Sequence, residues 1–131
     1  MNKRVLKIFR QAMRMINEQS QVKELLWQVS QKLQKINGSN KQINELMDLI
    51  QLFLRMIKKS LAGEYSAFSH KTLLSLVFGL LYFVTPMDVV PDFIPLLGFS
   101  DDLSIVYFII KNFKLDIEAF KVWELNQESV R

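Results

Sequence analysis

The stretch Leu73-Leu-Ser-Leu-Val-Phe-Gly-Leu-Leu-Tyr-Phe-Val84 is apolar at ten of twelve positions, and Leu103-Ser-Ile-Val-Tyr-Phe-Ile-Ile110 at seven of eight. Neither run alternates polar with apolar residues. Each reads as a helix that is apolar all round, and such a helix has to be buried by other helices or by lipid. Ser69 is placed to cap the first. Pro86 stops it near Thr85, because the residue before a proline avoids helical geometry. Ser100 suits the N-cap of the second, with Asp101 and Asp102 in a first turn whose dipole favours carboxylates. The pair forms a hairpin with arms of about 13–15 residues, roughly 20–23 Å at 1.5 Å per residue. A spanning helix needs roughly 20 apolar residues, and joining the runs would place Pro86, Asp88, Pro91, Asp92 and Pro95 inside the span. The hairpin therefore suits the centre of a helical bundle or a shallow re-entrant insertion.

Working outward, three amphipathic helices precede it. In the first, Val5, Phe9, Ala12 and Ile16 recur at helical spacing. Lys3, Lys7, Arg10 and Arg14 recur on the opposite side within an arc of about 60°. In the second, Val22, Leu25, Leu26, Val29, Leu33 and Ile36 follow the i, i+3, i+4, i+7 pattern. The two are one long helix or are broken near Asn17–Ser20. Gly38 then fits a left-handed stop, and Ser39 with Gln42 fits a capping box. The third helix runs to about Ala62 on Ile43, Leu46, Ile50, Phe53, Leu54, Ile57 and Leu61, and Gly63 marks its end. After the hairpin, Asp116 is placed to cap a last helix, with Ile117, Phe120 and the segment Val122 to Leu125 turned inward. No period-2 pattern is sustained anywhere. The expected fold is all-α: a compact bundle of about five or six helices around the central apolar hairpin.

Length and composition agree. At 131 residues, half of them hydrophobic and 23% charged, the chain suits one folding unit with a sizeable core. Residues 1–62 supply basic amphipathic helices; residues 63–131 supply the hairpin, its loop and the C-terminal helix. The net charge of +4 divides unevenly, with 12 Lys/Arg against 4 Asp/Glu in the first segment and 5 against 9 in the second. Such asymmetry suits an anionic partner for the first segment, or mutual neutralisation of the two. There is no Cys, which excludes disulfides, thiolate zinc sites and Cys nucleophiles. His70 is the single histidine and has no nucleophile elbow beside it, so it reads as a solvent-facing or capping residue. No cleavable signal peptide is visible, since the basic start continues as an amphipathic repeat.

The loop carries the most specific pattern. Tyr82, Thr85, Pro86, Asp88, Pro91, Asp92, Pro95, Gly98, Asp101 and Asp102 spell Y-x-x-[ST]-P-x-D-x-x-P-D-x-x-P-x-x-G-x-x-D-D over 21 residues. This resembles the signature of the YkvA-like family, a bacterial domain of unknown function. The resemblance covers about 45 residues with the flanking helices. It implies a small, membrane-associated protein and no established catalytic activity.

Two readings of the loop follow from its chemistry. Asp residues cap helix ends and turns, and Pro and Gly rigidify a crossover, so the loop serves as the rigid tip of the hairpin. Alternatively Asp88, Asp92, Asp101 and Asp102 converge. Four carboxylates in apolar surroundings need a cation, a basic partner or protons, and oxygen ligands alone favour Mg²⁺, Ca²⁺ or Mn²⁺. The capping reading needs no cofactor and is preferred.

The functional expectation is a non-enzymatic helical module, membrane-associated or partner-binding. The alternative is a divalent-metal-binding protein or metal-dependent enzyme. Lys3, Lys7, Arg10 and Arg14 are the candidate contacts to an anionic membrane surface or a protein partner. Nucleic-acid binding is disfavoured, because the basic positions lack interleaved aromatics. Homo-oligomerisation is compatible with the sequence. The expected location is cytoplasmic, peripheral to or inserted in a membrane.

Overall fold

A computed structural model describes residues 3–36, 41–85 and 105–130. Helix α1 spans Lys3–Met15, α2 Gln19–Lys35, α3 Lys41–Leu61 and α4 His70–Val84. Residues 105–112 are helical (α5), and α6 spans Lys114–Val130 after the single residue Phe113. The fold is an all-α bundle, with no strand among the described residues.

The chain breaks between the first two helices. Glu18 is extended (φ −114°, ψ 94°) and its carbonyl accepts from the N–H groups of Gln21 and Val22. Helix α3 ends at Gly63, whose φ of +75° is a left-handed geometry that costs glycine no Cβ strain. The Glu64 N–H reaches back to the Lys59 carbonyl and the Gly63 N–H to that of Ser60. This pair of bonds is a Schellman stop. Helix α4 begins as its sequence indicates, with the Ser69 side chain accepting from the Thr72 N–H at 3.2 Å. It ends with both the N–H and the hydroxyl of Thr85 donating to the Leu81 carbonyl. The Gly38 stop and the Ser39–Gln42 box lie outside the described residues and side chains.

Helix α4 is the axis of the fold. Helices α1, α2 and α3 all pack against it, and Leu76, Val77, Leu80, Leu81 and Phe83 are buried in one apolar cluster fed by both halves of the chain. Leu74, Phe78 and Val84 on the same helix are half-buried against this cluster. Gly79 allows a close crossing: a Cβ there would lie 2.8 Å from Ile109 Cδ1 on α5 and 3.4 Å from Phe53 on α3.

Three inward faces differ from the sequence expectation. On α1 the buried residues are Ile8, Ala12 and Met15. At 100° per residue this turns the inward face by roughly 60° from the Val5–Phe9–Ala12–Ile16 stripe. Phe9 becomes a flank, its ring edge-on to Phe78 at 5.6 Å. On α6, Ile117 and Phe120 are buried, but Val122 and Leu125 are exposed, since four consecutive helical residues sweep most of a turn and cannot all face inward. Asp116 does not cap α6, which starts two residues earlier; it lies in the first turn. On α5, Val106 and Ile109 are buried while Tyr107 and Phe108 are exposed.

Candidate functional site

The C-terminal end of α4 leads into the proline–aspartate motif. Of that motif Tyr82 and Thr85 are described; Pro86, Asp88, Pro91, Asp92, Pro95, Gly98, Asp101 and Asp102 lie outside the described residues, as does the expected hairpin tip. Tyr82 is buried, its ring 6.2 Å from Phe78. Among the described residues no group of three or more His, Asp or Glu side chains is placed to hold a metal ion.

One cation sits at this helix end. Lys32 of α2 donates from Nζ to the Phe83 carbonyl and holds its ammonium 4.4 Å from the centroid of the Phe83 ring. The last carbonyls of a helix lack intrahelical donors and carry the negative end of its dipole, so a lysine there is favoured. The π face of Phe83 adds to the attraction. Sequence reasoning missed Lys32, although it lies seven residues after buried Leu25 and three after buried Val29, on the edge of the apolar stripe. A lone lysine at such a position is the available signal.

The basic face of α1 is the second assembled feature. Lys3, Lys7, Arg10 and Arg14 are all exposed, and none makes an ion pair among the described residues. The opposite face of the same helix is committed to the core through Ile8, Ala12 and Met15. What α1 offers to a partner is therefore chiefly charge, since Ile8, Ala12 and Met15 are buried in the core.

Other candidates resolve by burial. His70 is exposed at the first residue of α4. Trp123 joins an aromatic cluster with Tyr65 and Phe120, at centroid distances of 5.1 and 5.7 Å. Trp27 is 58% exposed. Burial, followed by the negative charge of Asp116, pushes the Tyr65 phenol above its ordinary value of 10.0.

Residues 72–108, from the first turn of α4 to midway along α5, match the family described as "Protein of unknown function (DUF1232)". The chain is also similar to the uncharacterized membrane protein YkvA of Bacillus subtilis (strain 168), with 36% identity over 76 residues, or 58% of this chain and 72% of that protein. The chain belongs to the YkvA-like family. The family match thus falls on the central helix and the proline–aspartate motif and stops one residue short of Ile109, the crossing partner of Gly79; the three basic amphipathic helices lie outside it. No solved structure matches the chain. No helix among the described residues is long and apolar enough to cross a membrane.

Proposed function

We propose that this YkvA-like protein is a non-enzymatic helical module that docks at an anionic membrane surface through the cationic face of α1. The single observation that carries this reading is the exposure of Lys3, Lys7, Arg10 and Arg14 on one side of a helix whose other side is buried. The Bacillus subtilis relative is described as a membrane protein, which agrees with this reading.

Magnitudes fit a reversible contact. Each Lys or Arg near an anionic surface contributes about 1 kcal/mol. Four such residues contribute about 4 kcal/mol, roughly a thousandfold in partitioning. Because α1 keeps its apolar face on α4, docking is electrostatic and falls off within a Debye length of about 8 Å at physiological salt.

Flotation with anionic and neutral liposomes tests the reading. Binding is expected for anionic vesicles alone, to weaken with added salt, and to vanish when Lys7, Arg10 and Arg14 are changed together to Glu. Equal recovery in the unbound fraction for both lipids at low salt rejects it.

A further inference from the structure

A groove of about 490 Å³ opens between α2 and the C-terminal turn of α3. Its apolar walls are Leu26, Trp27, Leu61 and Ala62, and two lysines, Lys23 and Lys58, line it as well. Ser30 adds a hydroxyl. The volume is that of a small-ligand site, and the mixture of apolar walls with a few polar groups is what such sites use.

Three observations set its chemistry. First, both lysines are exposed and make no ion pair among the described residues. Second, the end of α3 does not consume Lys58. The carbonyls of Lys58, Lys59 and Ser60 accept from the backbone N–H groups of Ala62, Glu64 and Gly63. The neighbouring Lys59 is held by Glu64 at 2.9 Å. Third, Trp27 leaves more than half its surface in solvent, beside these cations. An indole next to lysines is a pairing suited to a membrane–water interface, where one end of a site is apolar and the other wet. A second depression of about 290 Å³ is different: Gln11, Gln21, Glu24 and Gln28 line it and no Lys or Arg does.

We infer that the α2–α3 groove is a site for one anionic phospholipid, whose headgroup meets Lys23 and Lys58 and whose upper acyl chain lies on Leu26, Leu61 and the Trp27 ring. The inference rests on the membrane reading above and adds to it a specific lipid seat on a different pair of helices. Charge complementarity selects the ligand, since two unpaired ammonium groups beside an apolar floor match an acidic amphiphile and disfavour a zwitterionic one.

The test uses the full chain carrying Trp123→Phe, so that Trp27 alone fluoresces, titrated with short-chain phosphatidylglycerol below its micelle concentration. A saturable blue shift is expected, absent with the phosphatidylcholine of the same chain length. Lys23→Glu with Lys58→Glu should weaken the apparent affinity at least tenfold. The same titration of the wild-type chain, in which Trp27→Phe removes the shift, serves if Trp123→Phe does not fold. No saturable shift, or an equal response to phosphatidylcholine, overturns the groove as a lipid seat. Because monomeric lipid presents no surface, flotation that persists beside a flat titration overturns the groove alone, and a saturable titration beside failed flotation supports the groove while rejecting α1 docking.

Discussion

Thr72, in the first turn of α4, donates its hydroxyl hydrogen to the carboxylate of Asp116 in the first turn of α6. Thr72 is 1% exposed, and its hydroxyl also lies 3.0 Å from that of the N-cap Ser69. A hydroxyl has one hydrogen, so the order is fixed: Ser69 donates to Thr72, and Thr72 donates to Asp116. The cap of one helix is thereby tied to the start of another, 44 residues away.

Thr72→Val keeps the shape and removes the donor. A hydrogen bond to a charged acceptor is worth about 1.5–3 kcal/mol, and leaving a partner unsatisfied adds to the loss. The expected destabilisation is about 2 kcal/mol by urea denaturation. Combined with Asp116→Ala, the loss should fall well short of the sum of the two singles, since contacting residues are not additive. Additive losses would show that the two side chains act independently.

Tyr65 makes stability fall at high pH. Its folded-state value is raised by burial and then by Asp116, so the unfolded chain releases this proton first. The stabilisation is complete below the ordinary value of 10.0 and is lost as pH rises through the higher folded value. Wild-type stability measured by urea melts should drop as pH rises above 10.0, and Tyr65→Phe should drop less. Parallel losses in the two proteins would assign the alkaline transition to other groups.

The crossing of α4 and α5 has no room for a side chain at Gly79. Overpacking a filled core costs about 1–3 kcal/mol, and Gly79→Val should fall in that range despite the poor helix propensity of glycine. Because the nearest atom is the terminal methyl of Ile109, Ile109→Ala in the same chain should cost less than it does alone. Thermal melts of the four proteins check this.

Periodicity made the helices legible in the sequence, and it was most accurate on α2, where Val22, Leu25, Leu26, Val29 and Leu33 are all buried. Three helix boundaries with local chemistry were legible: Ser69 caps, Gly63 turns left-handed, and Thr85 ends α4 ahead of Pro86, whereas Asp116 lies inside α6 instead of capping it. The face of α1 was misjudged because apolar residues at 5, 8, 9, 12, 15 and 16 cover a wide arc, and packing on α4 decides which part is inward. Long-range polar contacts were not legible at all. Nothing local in the sequence pairs Thr72 with Asp116, or Arg55 with Glu124 at 2.7 Å. The basic face of α1 was legible because its charges repeat at helical spacing, whereas the groove needs two helices and a turn to exist.

Lys32 tests whether the end of α4 depends on a cation from α2. Lys32→Met keeps the stem and its packing while removing the ammonium that meets the Phe83 carbonyl and ring. A charged donor on a helix C-terminus contributes about 0.3–1 kcal/mol when exposed and up to about 2 when partly buried, and the π contact adds about 0.5–1. The expected loss is about 1–3 kcal/mol by urea denaturation. Lys32→Arg should recover part of it, since the charge returns with a wider head. The structure places this interaction where α4 gives way to the aspartate motif, so the effect should be local as well as global. Hydrogen exchange should quicken at the last turn of α4, Leu81 to Val84, more than at its first turn near Thr72. Uniform acceleration along α4, or stability unchanged by Lys32→Met, would show that the core holds this helix end without the lysine.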